Sequence, residues 1–128
     1  MGARMLEETG KQIIDSALQV HRELGPGLLE NAYLGCLDYE LRQRGLQVEC
    51  QRPLQLEYRG TDIGIAYRLD LLVNGCVVVE LKAVRELTAL HEAQLLSYLK
   101  LRSFKLGYLL NFNVSRMKDG MKRMVNRL

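Results

Sequence analysis

The chain has 128 residues, 48% hydrophobic and 26% charged, with a formal charge of +3 at pH 7. That length suits one domain over residues 1–128 and leaves little room for a second, while so small a charge permits a polyanionic partner without requiring one. The three cysteines, Cys36, Cys50 and Cys76, are widely spaced with no CxxC pair or Cys/His cluster, which excludes a zinc finger and suits free thiols in a reducing compartment.

The first predicted element is a helix over residues 7–23, where Ile13, Ile14, Ala17, Leu18 and Val20 recur at helical spacing behind Thr9 as N-cap. Gly25-Pro26-Gly27 breaks it, and a second helix is expected from about Leu28 to Arg44, with Gly45 closing its C-terminus. The period then changes to two. Leu46, Val48 and Cys50 share one face, as do Leu54, Leu56 and Tyr58 after Pro53, which marks a bulge or an edge strand. "RGTDIG" reads as a turn, followed by strands near Ile65–Val73 and Cys76–Lys82 joined by Asn74-Gly75, a strong hairpin signal.

A third helix is expected over Ala89–Arg102 and a further strand over Lys105–Phe112, with "VSRMKDGMKRMVNRL" ambiguous between strand and helix. Three consecutive strands followed by a crossover helix imply an α/β fold with a mixed central sheet flanked by helices. From Leu101 onward, Arg102, Lys105, Arg116, Lys118, Lys122, Arg123 and Arg127 face a single acid, Asp119; this is either a phosphate-contacting surface or a solvated basic one. No apolar stretch approaches the roughly 20 residues of a membrane span, and "MGARMLEETG" lacks the apolar run of a signal peptide. The expected location is cytoplasmic.

The anomaly lies in "YRLDLLVNGCVVVELKA", where Asp70, Glu80 and Lys82 interrupt otherwise apolar strands. Alternation puts Glu80 and Lys82 on one face of their strand. A two-residue Asn74-Gly75 loop would pair Val73 with Cys76 and Asp70 with Val79, leaving Asp70 beside Glu80. Two carboxylates and a lysine in buried strands are costly unless compensated. A divalent cation compensates them, since Mg²⁺ takes a few carboxylates plus waters and phosphate oxygens. So does a structural ion pair to Lys82.

These segments resemble the PD-(D/E)XK nuclease superfamily, and within it the GxxExxY group of small prokaryotic proteins. "GLLENAY" supplies Gly27, Glu30 and Tyr33, and "YRLDLLV", "VELKAV", "HEAQLLSYL" and "GYLLNF" follow in order. The resemblance implies a restriction-endonuclease-like core and a Mg²⁺- or Mn²⁺-dependent phosphodiesterase acting on nucleic acid, with DNA the expected substrate, through a metal-activated water. It makes Asp70, Glu80, the Leu81 carbonyl and Glu30 the metal ligands, Lys82 the catalytic lysine, and Gln94 and Tyr98 a Q-x-x-x-Y element supporting the site.

The residues themselves admit plainer readings. Glu30 suits the N-terminal dipole of its helix without any metal. Gln94 and Tyr98 share a helix face and, if buried, need partners that tie the helix to the sheet. His21 and His91 are packing or surface histidines by default, near enough to the motifs to approach the site. The signature's proline is absent, since Arg68-Leu69 precede Asp70. The alternative function is a catalytically silent nucleic-acid- or partner-binding module on the same fold. With no separate DNA-reading domain in this length, a homodimer or a larger assembly is the expected route to specificity.

Overall fold

A computed structural model describes residues 2–127. The elements run α1 (Ala3–Leu24), α2 (Glu30–Gln43), β1 (Val48–Tyr58), β2 (Thr61–Val73), β3 (Val77–Lys82), α3 (Ala89–Leu101), β4 (Leu106–Asn111) and β5 (Met121–Val125). The strands form one sheet in the order β1-β2-β3-β4-β5. The β3–β4 pairing is parallel, and β1–β2, β2–β3 and β4–β5 are antiparallel. This is the mixed, helix-flanked α/β sheet expected from the element order.

Helices cover both faces. Ile13, Ala17 and Val20 of α1 and Tyr33, Leu37 and Leu41 of α2 pack in one cluster with Leu71, Val73, Val77, Val79 and Leu81. On the other face Leu95 and Leu99 of α3 pack against Leu54, Leu69, Leu72, Val78 and Leu109. β3 and β4, covered on both sides, are buried along almost their whole length, as their continuous apolar runs require. α1 also lies close on β4: a Cβ at Gly10 would fall against the Tyr108 hydroxyl.

Several boundaries differ from the sequence expectations for physical reasons. α1 starts at Ala3 with Gly2 as N-cap, and Thr9, buried mid-helix, accepts a hydrogen bond from Asn74 Nδ2 at 3.0 Å. Of "RGTDIG", only Arg59-Gly60 turn, at φ 52° and 81°, while Thr61 already pairs with Tyr58. β1, carrying Pro53, is an edge strand. The ambiguous C-terminal segment divides into a 3₁₀ turn, Met117–Gly120, and β5.

The decisive difference is register. Asn74 and Gly75 are left-handed (φ 52° and 66°), and Cys76 N–H bonds the Val73 carbonyl at 3.1 Å. Cys76 nevertheless stays out of the ladder, and Val73 pairs with Val77. Directly opposite residues share a face, so pairing Val73 with Cys76 would have turned Val78 and Glu80 into the α1/α2 core. The extra turn residue keeps Val77 and Val79 there and sends Val78, Glu80 and Lys82 to the α3 face.

Candidate active site

The β2–β3 ladder runs from Val73/Val77 to Leu71/Val79 and stops. The next residues are Asp70 and Glu80, where two side chains replace the missing backbone pairs. Glu80 Oε2 accepts from Asp70 N–H at 2.7 Å, and Asp70 Oδ2 accepts from Leu81 N–H at 2.9 Å. β2 also rotates here: Leu71 packs toward α1 and α2, whereas Leu69 packs toward α3. Beside it on β1, Gln51 is left-handed at φ 54°. The splay frees the backbone N–H groups of Asp70 and Leu81 for the Glu80 and Asp70 carboxylates, which a regular ladder would not allow.

Burial pushes the Glu80 carboxyl up to about 7, with the Asp70 charge adding to it; the Asp70 N–H, Tyr67 and Lys82 oppose the rise. Asp70 is also raised, first by burial and then by Glu30, against the Leu81 N–H and Lys82. Glu80 is only 1% exposed. Two acids displaced in the same direction by burial and by an acidic neighbour leave a local deficit of positive charge.

Lys82 is half-buried beside them, yet among the described residues it makes no ion pair within 4.0 Å. The structural ion pair that the sequence allowed is therefore not formed. The Lys82 carbonyl accepts from Phe112 N–H on the β4 side at 2.9 Å. By alternation the Leu81 N–H and carbonyl face the β2 side; the N–H meets Asp70 there, and the carbonyl faces the same opening.

Glu30 stands exposed in the first turn of α2. It raises the Asp70 pKa through its charge, but among the described residues no three His, Cys, Asp or Glu side chains are grouped closely enough to hold a metal. The structure thus joins Asp70 and Glu80 and leaves Glu30 at longer range. Tyr33 is wholly buried: its hydroxyl donates to the Gly25 carbonyl at 2.6 Å and accepts from Leu28 N–H at 3.0 Å, and its ring stacks on Phe112. With Gly27 at φ 104°, it fixes the bend that sets the start of α2 and hence Glu30.

Gln94 is exposed and has no hydrogen-bond partner among the described residues, so it is not the buried, partnered glutamine that tying α3 to the sheet would require. Leu95 and Leu99 occupy the buried face of α3 instead. Tyr98 is half-buried and stacks on Tyr67, centroids 4.1 Å apart at 13°. Tyr67 was not singled out from the sequence, although its hydroxyl donates to Glu80 Oε1 at 3.0 Å. Its position three residues before Asp70 was the available signal.

The histidines take packing and capping roles. His21 is buried, with Nε2 2.8 Å from the Val114 carbonyl, tying α1 to the loop after β4. His91 closes a capping box with Thr88 at the start of α3. The basic residues from Arg102 to Arg127 remain exposed, with Lys122 3.8 Å from Glu92.

The oxygens of Asp70 and Glu80 with the Leu81 carbonyl fit a hard divalent cation, which takes one or two carboxylates and completes its shell with water and phosphate. A family model described as PD-(D/E)XK nuclease superfamily matches residues 7–124. No curated protein and no solved structure matches the chain.

Proposed function

From the premise that the chain belongs to the PD-(D/E)XK nuclease superfamily, we propose that it is a metal-dependent nuclease hydrolysing phosphodiester bonds in DNA. Gly27, Glu30 and Tyr33 support assigning it to the GxxExxY group. Asp70, Glu80 and the Leu81 carbonyl would hold Mg²⁺ or Mn²⁺, with Glu30 acting on Asp70 from a distance. When bound, such a cation supplies an acidified water and positive charge against the phosphate. Lys82 orients the attacking water and balances charge developing on the phosphoryl oxygens. Tyr98 supports the site through Tyr67, and exposed Gln94 is available to nucleic acid beside it.

One observation carries this reading: the Lys82 charge opposes the rise in pKa of both acids, yet Lys82 makes no ion pair with either among the described residues. A purely neutralising lysine would sit on one of them; a catalytic one must stay free for substrate. We further propose that the protein works in the cytoplasm as a homodimer or within a larger assembly. No helix among the described residues is long and apolar enough to cross a membrane.

The test is to incubate the protein with single-stranded DNA, duplex DNA and RNA, with Mn²⁺ or with chelator. Cleavage of DNA that needs Mn²⁺ and disappears in Lys82→Ala and Asp70→Ala, with unchanged circular dichroism, is the expected result. Equal cleavage by the wild type and Lys82→Ala would remove the mechanism.

A second reading, a silent binding module, has one observation in its favour. Both carboxylates already accept from backbone donors, Glu80 from Asp70 N–H and Asp70 from Leu81 N–H. Duplex binding with no cleavage under any metal would select it.

A further inference from the structure

We propose that Tyr67 is a positioning residue for the metal-binding carboxylate: its hydroxyl, braced by the ring of Tyr98, fixes the orientation of Glu80. The inference rests on the nuclease reading and adds to it a residue outside the superfamily's signature.

Tyr67 lies on β2 beyond the last β2–β3 pair, where its backbone partner is Leu54 of β1. Backbone pairing therefore sets no distance between Tyr67 and β3. The bond from Tyr67 Oη to Glu80 Oε1, at 3.0 Å, spans that opening. The other oxygen, Oε2, takes Asp70 N–H at 2.7 Å. Two donors from one strand, one on each oxygen, fix the plane of the carboxylate. Each oxygen keeps a second lone pair, so the clamp orients Glu80 without using up its capacity as a ligand. The tyrosine ring is itself held, stacked 4.1 Å from Tyr98 at 13°. Among the described residues Tyr98 makes no hydrogen bond to Glu80 or Asp70, so its influence passes through Tyr67.

A tyrosine that merely fastens the β1–β2 ribbon to the sheet would act through its ring. Tyr67→Phe keeps ring, volume and stack and removes only the donor. The probe is Mn²⁺ alone, titrated calorimetrically into the metal-free protein. Loss of an outer partner of a metal ligand typically weakens metal binding about 10- to 100-fold, and a Kd increase of that size is expected for Tyr67→Phe with an unchanged circular dichroism spectrum. Tyr98→Ala, which removes the stacked ring, should weaken binding in the same direction as Tyr67→Phe. A Kd for Tyr67→Phe within about twofold of wild type, while Asp70→Ala abolishes binding, overturns the positioning role and leaves the carboxylate site standing. A wild-type protein that takes no Mn²⁺ overturns the site and this role together.

Discussion

The two halves of β3 share one partner on one side and differ on the other. From Val77 to Lys82 the strand pairs without interruption with β4. Toward β2, Val77–Val79 are paired with Val73–Leu71, but Glu80–Lys82 are not. The paired half is wholly apolar and the unpaired half carries every charge. Buried carboxylates are tolerated here because the backbone groups freed by the splay supply their donors. The chemistry of the site and the irregularity of the sheet are one feature.

Adjacent residues on β2 give the largest test of that contrast. Asp70→Asn keeps an acceptor for Leu81 N–H but removes the charge. Removing several kcal/mol of charge stabilisation predicts a cleavage loss on the order of 10³-fold with the fold retained. Leu71→Ala should do the reverse. Its side chain is 0% exposed in the α1/α2 core, so it should cost about 2–5 kcal/mol of stability in urea unfolding while the folded fraction still cleaves. If Asp70→Asn unfolds the protein as Leu71→Ala does, the division between the two halves fails.

A second test uses pH. Glu80 has an ordinary value of 4.5 and stands at about 7 in the folded chain, raised by burial and by Asp70. Between those values the native state keeps a proton that the unfolded chain has released. This contribution to stability is complete below the lower value and is lost as pH rises through the higher one. Asp70, raised in the same direction, adds to the trend. The metal-free protein should therefore lose on the order of a few kcal/mol between pH 4.5 and 8, and Glu80→Gln should flatten the slope. Parallel slopes in urea titrations of the two proteins would locate the effect elsewhere.

The sequence made these residues visible because charge inside apolar strands has few cheap explanations. Asp70, Glu80 and Lys82 were legible for that reason, and the helices and hairpin were legible from their periods. Register was not, because Asn74-Gly75 specifies a turn but not whether Cys76 joins the ladder; facial burial decides that, and it is a tertiary property. Gln94 suggested a buried polar group because helical spacing tells which residues share a face, not how deep that face lies. β5 escaped because an edge strand with exposed Lys122 and Arg123 carries little apolar pattern. Tyr67 looked like one more aromatic in a strand until the fold set Glu80 against it.

The smallest predicted effect tests the device that sets the register. Asn74 holds the hairpin turn in three ways. Its left-handed φ of 52° is one that asparagine accepts more readily than most residues. Its Oδ1 accepts from Gln47 N–H at 2.9 Å, and its Nδ2 donates to Thr9 Oγ1 at 3.0 Å. Asn74→Gly keeps the first and removes the other two. At about 0.5–1.5 kcal/mol per hydrogen bond, the loss should be roughly 1–3 kcal/mol in urea unfolding. Cleavage by the folded protein should not change, because the register is also enforced by the valines that a one-residue slip would move to the other face. If Asn74→Gly abolishes cleavage while remaining folded, the turn alone holds Asp70 opposite Glu80, and the apolar half of β3 does not govern the site as argued.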